Sequence, residues 1–154
     1  MSVQVKESTK DDPFYALRLE NQLCFPIYAC AREIIRVYKP FLDELDLTYT
    51  QYITMMLLWE EKEYSVGELG ERLYLDSGTL TPLLKKLESK GLVSRRRSER
   101  DERARVISAT EKGMALREEA LKVPGKVAPQ IRIEIEEARV LYKTLYEMLE
   151  GFSR

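Results

Sequence analysis

Residues 65–91 read SVGELGERLYLDSGTLTPLLKKLESKG, and the spacing of apolar side chains along them decides the architecture. Ser65 and Glu68 stand at the spacing of a capping box, so a short helix starts at Ser65. Val66, Leu69 and Leu73 recur behind it at helical intervals. Leu75-Asp-Ser-Gly78 reads as a turn. In the second helix that follows, Leu80, Leu83, Leu84 and Leu87 fall at i, i+3, i+4 and i+7, one stripe for burial. The opposite face carries Thr79, Thr81, Lys85, Lys86 and Ser89, hydroxyls and ammonium groups suited to phosphates and base edges. Gly91 closes the helix. Leu92–Arg97 and Ala104–Ser108 then predict two strands around a charged tip, Ser98–Arg103. Two helices followed by an arginine-rich hairpin predict a winged helix-turn-helix that reads DNA.

Charge is distributed to match. Between Asp76 and Arg105 stand nine cations and five carboxylates, a net charge of +4, so the remaining residues carry −5 within the overall −1. A basic reading surface on an acidic body favours DNA over indiscriminate polyanion binding. A solvated hairpin without a partner would show the same arginines, but not directly behind an amphipathic helix-turn-helix.

The 154 residues, 44% hydrophobic and 33% charged, suit one domain spanning 1–154. No apolar run approaches the ~20 residues of a membrane span. The first residues lack the charged-then-apolar pattern of a secretory signal, and two cysteines without such a signal point to a reducing cytoplasm.

Around the DNA-reading region at about 48–109 the remaining segments predict a helical scaffold. Met1 to about Asp12 is polar and aperiodic. A helix is expected from near Pro26 to Lys39, with Ile27, Ala31, Ile34 and Tyr38 on one face, and Pro40 is expected to break or kink it. Thr48 and Gln51 form a second capping-box spacing, flanked by Leu47 and Tyr52 as a hydrophobic staple. The helix they start runs to about Glu61 and, rich in Ile53, Met55, Met56, Leu57, Leu58 and Trp59, belongs at the centre of the core. Thr110 caps another helix to about Lys122, ended by Pro124-Gly125. A last helix, from near Pro129 to Glu150, aligns Ile131, Ile135, Ala138, Leu141, Leu145 and Met148. The first and last helices could pack together within one subunit, or pair across a two-fold axis. Pairing would offer two recognition helices to two half-sites of a pseudo-palindromic operator, so a homodimer is expected, with dimerisation helices at about 13–46 and 110–152. The fold class is mainly α with a small β-hairpin wing.

Cys24 sits just ahead of a predicted first turn that begins at Pro26, near the positive end of a helix dipole. A thiol there is held more readily as the nucleophilic thiolate. A free cysteine packed as a small hydrophobe is the competing reading. Cys30, six residues on, would lie roughly 9 Å along the same helix, outside the ~4.4–6.8 Å Cα window of a disulfide, and is expected in the core.

Ser77-Gly-Thr-Leu-Thr-Pro82 with Leu83-Leu-Lys-Lys-Leu-Glu88 resembles the recognition helix of the MarR family. Asp101-Glu-Arg103 with Val106, Ile107 and Thr110 resembles that family's wing. Leu19-Glu-Asn-Gln-Leu-Cys24-Phe25 resembles the N-terminal motif of its organic-hydroperoxide regulators, the OhrR group. The similarity spans about Leu19 to Glu150. It implies a repressor of an organic peroxide resistance response that leaves operator DNA when Cys24 is oxidised. No cysteine stands in the C-terminal half, which implies the one-cysteine type: a sulfenic acid forms at Cys24 and a small-molecule thiol caps it. Tyr28, Tyr38 and Tyr49 match OhrR positions, and the resemblance implies that Tyr38 and Tyr49 hydrogen-bond the sensor thiol across the dimer interface. Without it, all three read as half-buried aromatics with wet hydroxyls.

On the DNA side, Thr79, Thr81, Lys85 and Lys86 are expected in the major groove, with Ser77 and the helix N-terminus on phosphate. The resemblance places Arg103 in the minor groove, oriented by Asp101. Arg95, Arg96 and Arg97 alternate along a strand, so one or two of them, Arg95 and Arg97, are expected on phosphate and the rest paired with Glu99, Asp101 or Glu102.

An enzyme is not expected. The chain has no histidine, and no Walker loop, G-x-G-x-x-G, G-x-S-x-G or C-x-x-C. No cofactor or metal is implied. Two alternatives stand beside the redox repressor: a ligand-responsive repressor that binds phenolic or aromatic compounds, and a related thiol-based global regulator.

Overall fold

The computed structural model describes residues 13–61, 63–97 and 105–152. Seven helices in them surround one small sheet: α1 (Cys24–Asp43), α2 (Tyr49–Glu60), α3 (Val66–Leu73), α4 (Ser77–Ser89), α5 (Glu111–Ala120), α6 (Val123–Val127) and α7 (Ile135–Glu150). The strands are β1 (Glu63–Ser65), β2 (Val93–Arg97) and β3 (Arg105–Ala109), antiparallel in the order β1-β3-β2. No helix among the described residues is long and apolar enough to cross a membrane.

Local side chains set the helix starts. Thr48 and Gln51 close a reciprocal capping box on α2, as Ser65 and Glu68 do on α3. The Ser65 backbone N–H and hydroxyl hold the Glu68 carboxyl below its ordinary range. Thr110 caps α5 by accepting from the Gly113 N–H at 3.0 Å, and donates to the Gly91 carbonyl at 2.6 Å. Gly91 has φ 71°, the left-handed conformation that ends a helix at least cost to glycine.

The core forms where the stripes meet. Met55 and Leu58 of α2, Leu69 of α3, Leu80, Leu84 and Leu87 of α4 and Ile107 of β3 are fully buried together. Each such leucine stabilises the fold by about 1.5–3 kcal/mol through burial. Trp59 Nε1 donates to the Gly113 carbonyl at 2.8 Å, tying α2 to α5. The backbone approach there is so close that a Cβ on Gly113 would lie 2.1 Å from the Leu92 carbonyl oxygen.

Several boundaries differ from the sequence expectation. Helix α1 starts at Cys24 rather than near Pro26, and continues through Pro40 to Asp43, because a proline this close to the end removes only one hydrogen bond. Ser77 and Gly78 belong to α4 rather than to the turn, since Asp76 supplies the cap. The wing is not a lone hairpin: β1 adds a third strand, pairing Tyr64 with Ile107. The chain does not stop at Pro124-Gly125 but winds through them as α6, where Pro124 occupies the first turn and Val123 and Val127 are buried. Helix α7 begins at Ile135, set by a Glu134–Glu137 capping box, and residues 128–130 form a separate 3-10 turn.

Helix α7 buries none of its residues; Ile135 is 71% and Leu141 49% exposed. The first half of α1 is likewise open, with Phe25 and Ile27 exposed and Leu42 its one buried residue. The two helices that need a covering surface do not find it in each other.

Candidate nucleic-acid interface and thiol site

The candidate recognition surface is the open side of α4. Its four leucines are buried while Ser77, Thr79, Thr81, Lys85 and Lys86 are exposed, as helical spacing requires. Asp76 accepts from the Thr79 hydroxyl at 2.8 Å and the Thr79 N–H at 2.9 Å, and these two bonds hold its carboxyl below the ordinary range. The Thr79 hydroxyl proton is therefore spent on the cap, and its oxygen faces outward as an acceptor.

Both ends of α4 are anchored. At the C-terminus Lys90 forms an ion pair with Asp46 at 3.0 Å and donates to its carbonyl, and Lys112 donates to the Lys90 carbonyl at 2.8 Å. Neither Lys90 nor Asp46 carries a local sequence signal for this role, because the partners are far apart in the chain.

Arg95 is placed differently from expectation. Its side chain is only 13% exposed and lies between the wing and α4, with Nε 3.2 Å from the Glu88 carboxylate and a terminal nitrogen 3.4 Å from the Thr81 carbonyl. It braces the wing against the recognition helix instead of reaching outward to phosphate. Arg96 pairs with Glu63 of β1. Among the described residues, the ion pairs of these two arginines thus go to α4 and β1. The Arg97 side chain, Asp101 and Arg103, together with Glu99, Glu102 and the N-terminal arm, lie outside the described residues.

Cys24 is exposed as the first residue of α1. Tyr28 follows one turn later on the same side and accepts a hydrogen bond from Arg32 at 2.9 Å. Cys30 is exposed and not in the core, because the first half of α1 has no neighbour to cover it among the described residues.

Tyr38 and Tyr49 do come together, edge to face with ring centroids 5.1 Å apart, and Tyr52 lies 6.0 Å from Tyr38. Burial pushes all three phenols above their ordinary value; the neighbouring phenols add to this at Tyr38 and Tyr52. They are hydrogen-bond donors at neutral pH. Fourteen residues of α1 separate Tyr38 from Cys24, about 21 Å along the axis. Within one chain the tyrosine pair and the thiol do not meet.

Comparisons with known proteins agree with this geometry. The family profile described as "Transcriptional regulator SarA/Rot" matches residues 36–120. The organic hydroperoxide resistance transcriptional regulator of Bacillus subtilis is 48% identical over 140 residues, 91% of this chain and 95% of that protein. A structure of reduced AbfR bound to DNA superposes with a TM-score of 0.76 at 35% identity, covering 88% of this chain and 94% of AbfR. A mutant of MarR from E. coli complexed with operator DNA has a TM-score of 0.78 at 25% identity, over 90% of this chain and 99% of MarR.

Proposed function

We propose that this chain, which belongs to the SarA/Rot and MarR-type family of winged-helix transcriptional regulators, is a homodimeric repressor of an organic peroxide resistance response, released from operator DNA by oxidation of Cys24. It is a regulator and not an enzyme, as its relatives are. The observation that carries the DNA-binding part is the face of α4, where exposed Thr81, Lys85 and Lys86 stand over a fully buried leucine stripe. Ser77 and Thr79 flank them at the helix start, and Arg97, Asp101 and Arg103 of the wing complete the reading surface.

The dimer reading is supported by the uncovered apolar faces of α1 and α7, which one chain leaves in water. It also supplies the missing geometry, since Tyr38 and Tyr49 of one subunit can reach Cys24 only in another. Residues 13–46 and 110–152 serve as the dimerisation helices, and 48–109 as the DNA-binding region. The thiolate of Cys24 attacks a hydroperoxide oxygen: an S–O bond forms, the O–O bond breaks, and an alcohol leaves. A cytoplasmic low-molecular-weight thiol then condenses with the sulfenic acid, releasing water and leaving a mixed disulfide. Added bulk at this position displaces the phenols and strains the interface that sets the spacing of the two recognition helices.

The test is binding of the purified protein to its own upstream DNA, titrated with cumene hydroperoxide and with hydrogen peroxide, with Cys24→Ser alongside. Release of wild type by the organic peroxide while Cys24→Ser stays bound is the expected result. Binding indifferent to peroxide in both proteins would discard the redox mechanism. One observation favours a ligand-responsive second reading: a cleft of about 430 Å³ between α1 and α2, lined by Ile35, Leu42, Leu47 and Tyr49 with Arg32 and Arg36 at its rim. Release of Cys24→Ser by a phenolic acid would select that reading.

A further inference from the structure

The recognition helix and the wing do not close against each other along their whole length. Between them, with the start of α3 as a third wall, runs a cleft of about 680 Å³. Leu84 lies at its base, and Ser65, Thr81, Lys85, Arg95 and Arg105 are its polar lining, with no carboxylate among them. Arg95 is already neutralised by Glu88 and largely buried. Lys85 and Arg105, by contrast, are exposed, and neither has an ion-pair partner among the described residues. Arg96, the neighbouring cation on the wing, is committed to Glu63, and Lys86 lies outside the lining of the cleft. Two unpaired cations thus face one cleft across a brace that fixes their separation.

We infer that this cleft seats a phosphate of the DNA backbone, held between Lys85 of the recognition helix and Arg105 of the wing. The inference rests on the DNA-binding reading above and adds Arg105 to it. Its geometric basis is the anatomy of the duplex. A sugar-phosphate strand is the wall between the major and minor grooves, so a protein with a helix in one and a wing over the other must straddle a strand. The space between α4 and the base of the wing is where that strand passes, and it is lined by positive charge. In this arrangement Arg95 is a positioning residue: it never meets the phosphate, and its bond to Thr81 and pairing with Glu88 set the width of the seat. Such a contact carries no sequence information, but it fixes the register of the helix in the groove.

The experiment measures binding of the full chain to a duplex of its upstream region and to an unrelated duplex, across a salt series. Wild type, Arg105→Gln and Arg105→Lys are compared, with far-UV circular dichroism as the folding control. Arg105→Gln should weaken binding about tenfold on both duplexes and lower the slope of log K against log salt by about two for a dimer, one counterion per subunit. Arg105→Lys should restore the slope. A scan of single methylphosphonate linkages adds an independent readout. One linkage per half-site should weaken wild type more than Arg105→Gln does, and weaken that variant by a smaller factor, the share of Lys85 alone. Wild-type affinity and slope in a folded Arg105→Gln, while the wild type still binds DNA, would overturn the phosphate seat alone. Failure of the wild type to bind either duplex would overturn the DNA-binding reading and the seat with it.

Discussion

Lys90, the residue that closes the recognition helix, grips Asp46 in the elbow between α1 and α2: its ammonium lies 3.0 Å from the Asp46 carboxylate and donates to the Asp46 carbonyl as well. Asp46 has φ 51°, a left-handed conformation that a non-glycine residue adopts at a cost. The elbow that leads from α1 into α2 is therefore held in place by the end of α4.

A double-mutant cycle tests that link. Lys90→Met and Asp46→Asn should each lower stability modestly, with a coupling energy of at most about 1 kcal/mol, because the Asp46 side chain is largely in water. Urea unfolding of the two single variants and the double variant gives the value. Strictly additive effects would show that the side-chain pair contributes nothing to the elbow.

Gly113→Ala should be among the most damaging single-methyl additions. The new Cβ would meet the Leu92 carbonyl oxygen at 2.1 Å, a backbone atom that cannot swing aside as the end of a flexible side chain could. A loss of more than about 3 kcal/mol is expected, read by urea unfolding through the fluorescence of Trp59, whose indole bonds the same residue. A variant as stable as wild type would mean that α5 shifts freely.

Stability should fall in alkali. The ordinary phenol value is 10.0, and burial raises Tyr38, Tyr49 and Tyr52 above it in the folded protein. Above about pH 10 the unfolded chain releases protons that the folded chain retains, so folding opposes ionisation there. The contribution is whole below the unfolded value and is lost as pH rises through the folded ones. Thermal midpoints between pH 8 and pH 11.5 should decline, and Tyr52→Phe should flatten the decline; parallel curves would remove Tyr52 as a source.

Tyr38→Phe and Tyr49→Phe should slow oxidation of Cys24 roughly tenfold, the loss of one hydrogen bond to a charged group, while leaving DNA affinity of the reduced protein unchanged. The proposed contact is across subunits, so it predicts complementation. In a mixed dimer of Cys24→Ser with Tyr38→Phe, the remaining thiol faces an intact Tyr38 from the other chain. Wild-type oxidation of that thiol is the expected outcome; the slow rate of the Tyr38→Phe homodimer would place the tyrosine effect within one chain.

What the sequence determined by itself was everything governed by short-range periodicity and capping. Leu80, Leu83, Leu84 and Leu87 are buried and Thr81, Lys85 and Lys86 exposed because a helix turns by a fixed angle per residue, whatever it packs against. Thr48, Ser65 and Thr110 cap their helices because the orphan N–H groups they satisfy lie two or three residues away. Where contacts are remote, local pattern carried less. Alternation along β2 separates Arg95 from Arg96, but only the packing of α4 against the wing turns Arg95 inward to Glu88 and Arg96 toward Glu63, thirty-three residues away. The three residues of β1 are too few for a periodic signal and exist as a strand because β3 offers an edge. Cys30 reads as core on a helix that would be buried, yet the fold of one chain leaves that half of α1 uncovered. Tertiary structure alone decided the rest, namely the distance from Cys24 to Tyr38 and the joining of Asp46 to Lys90, because these depend on how rigid helices are oriented and not on which residues compose them.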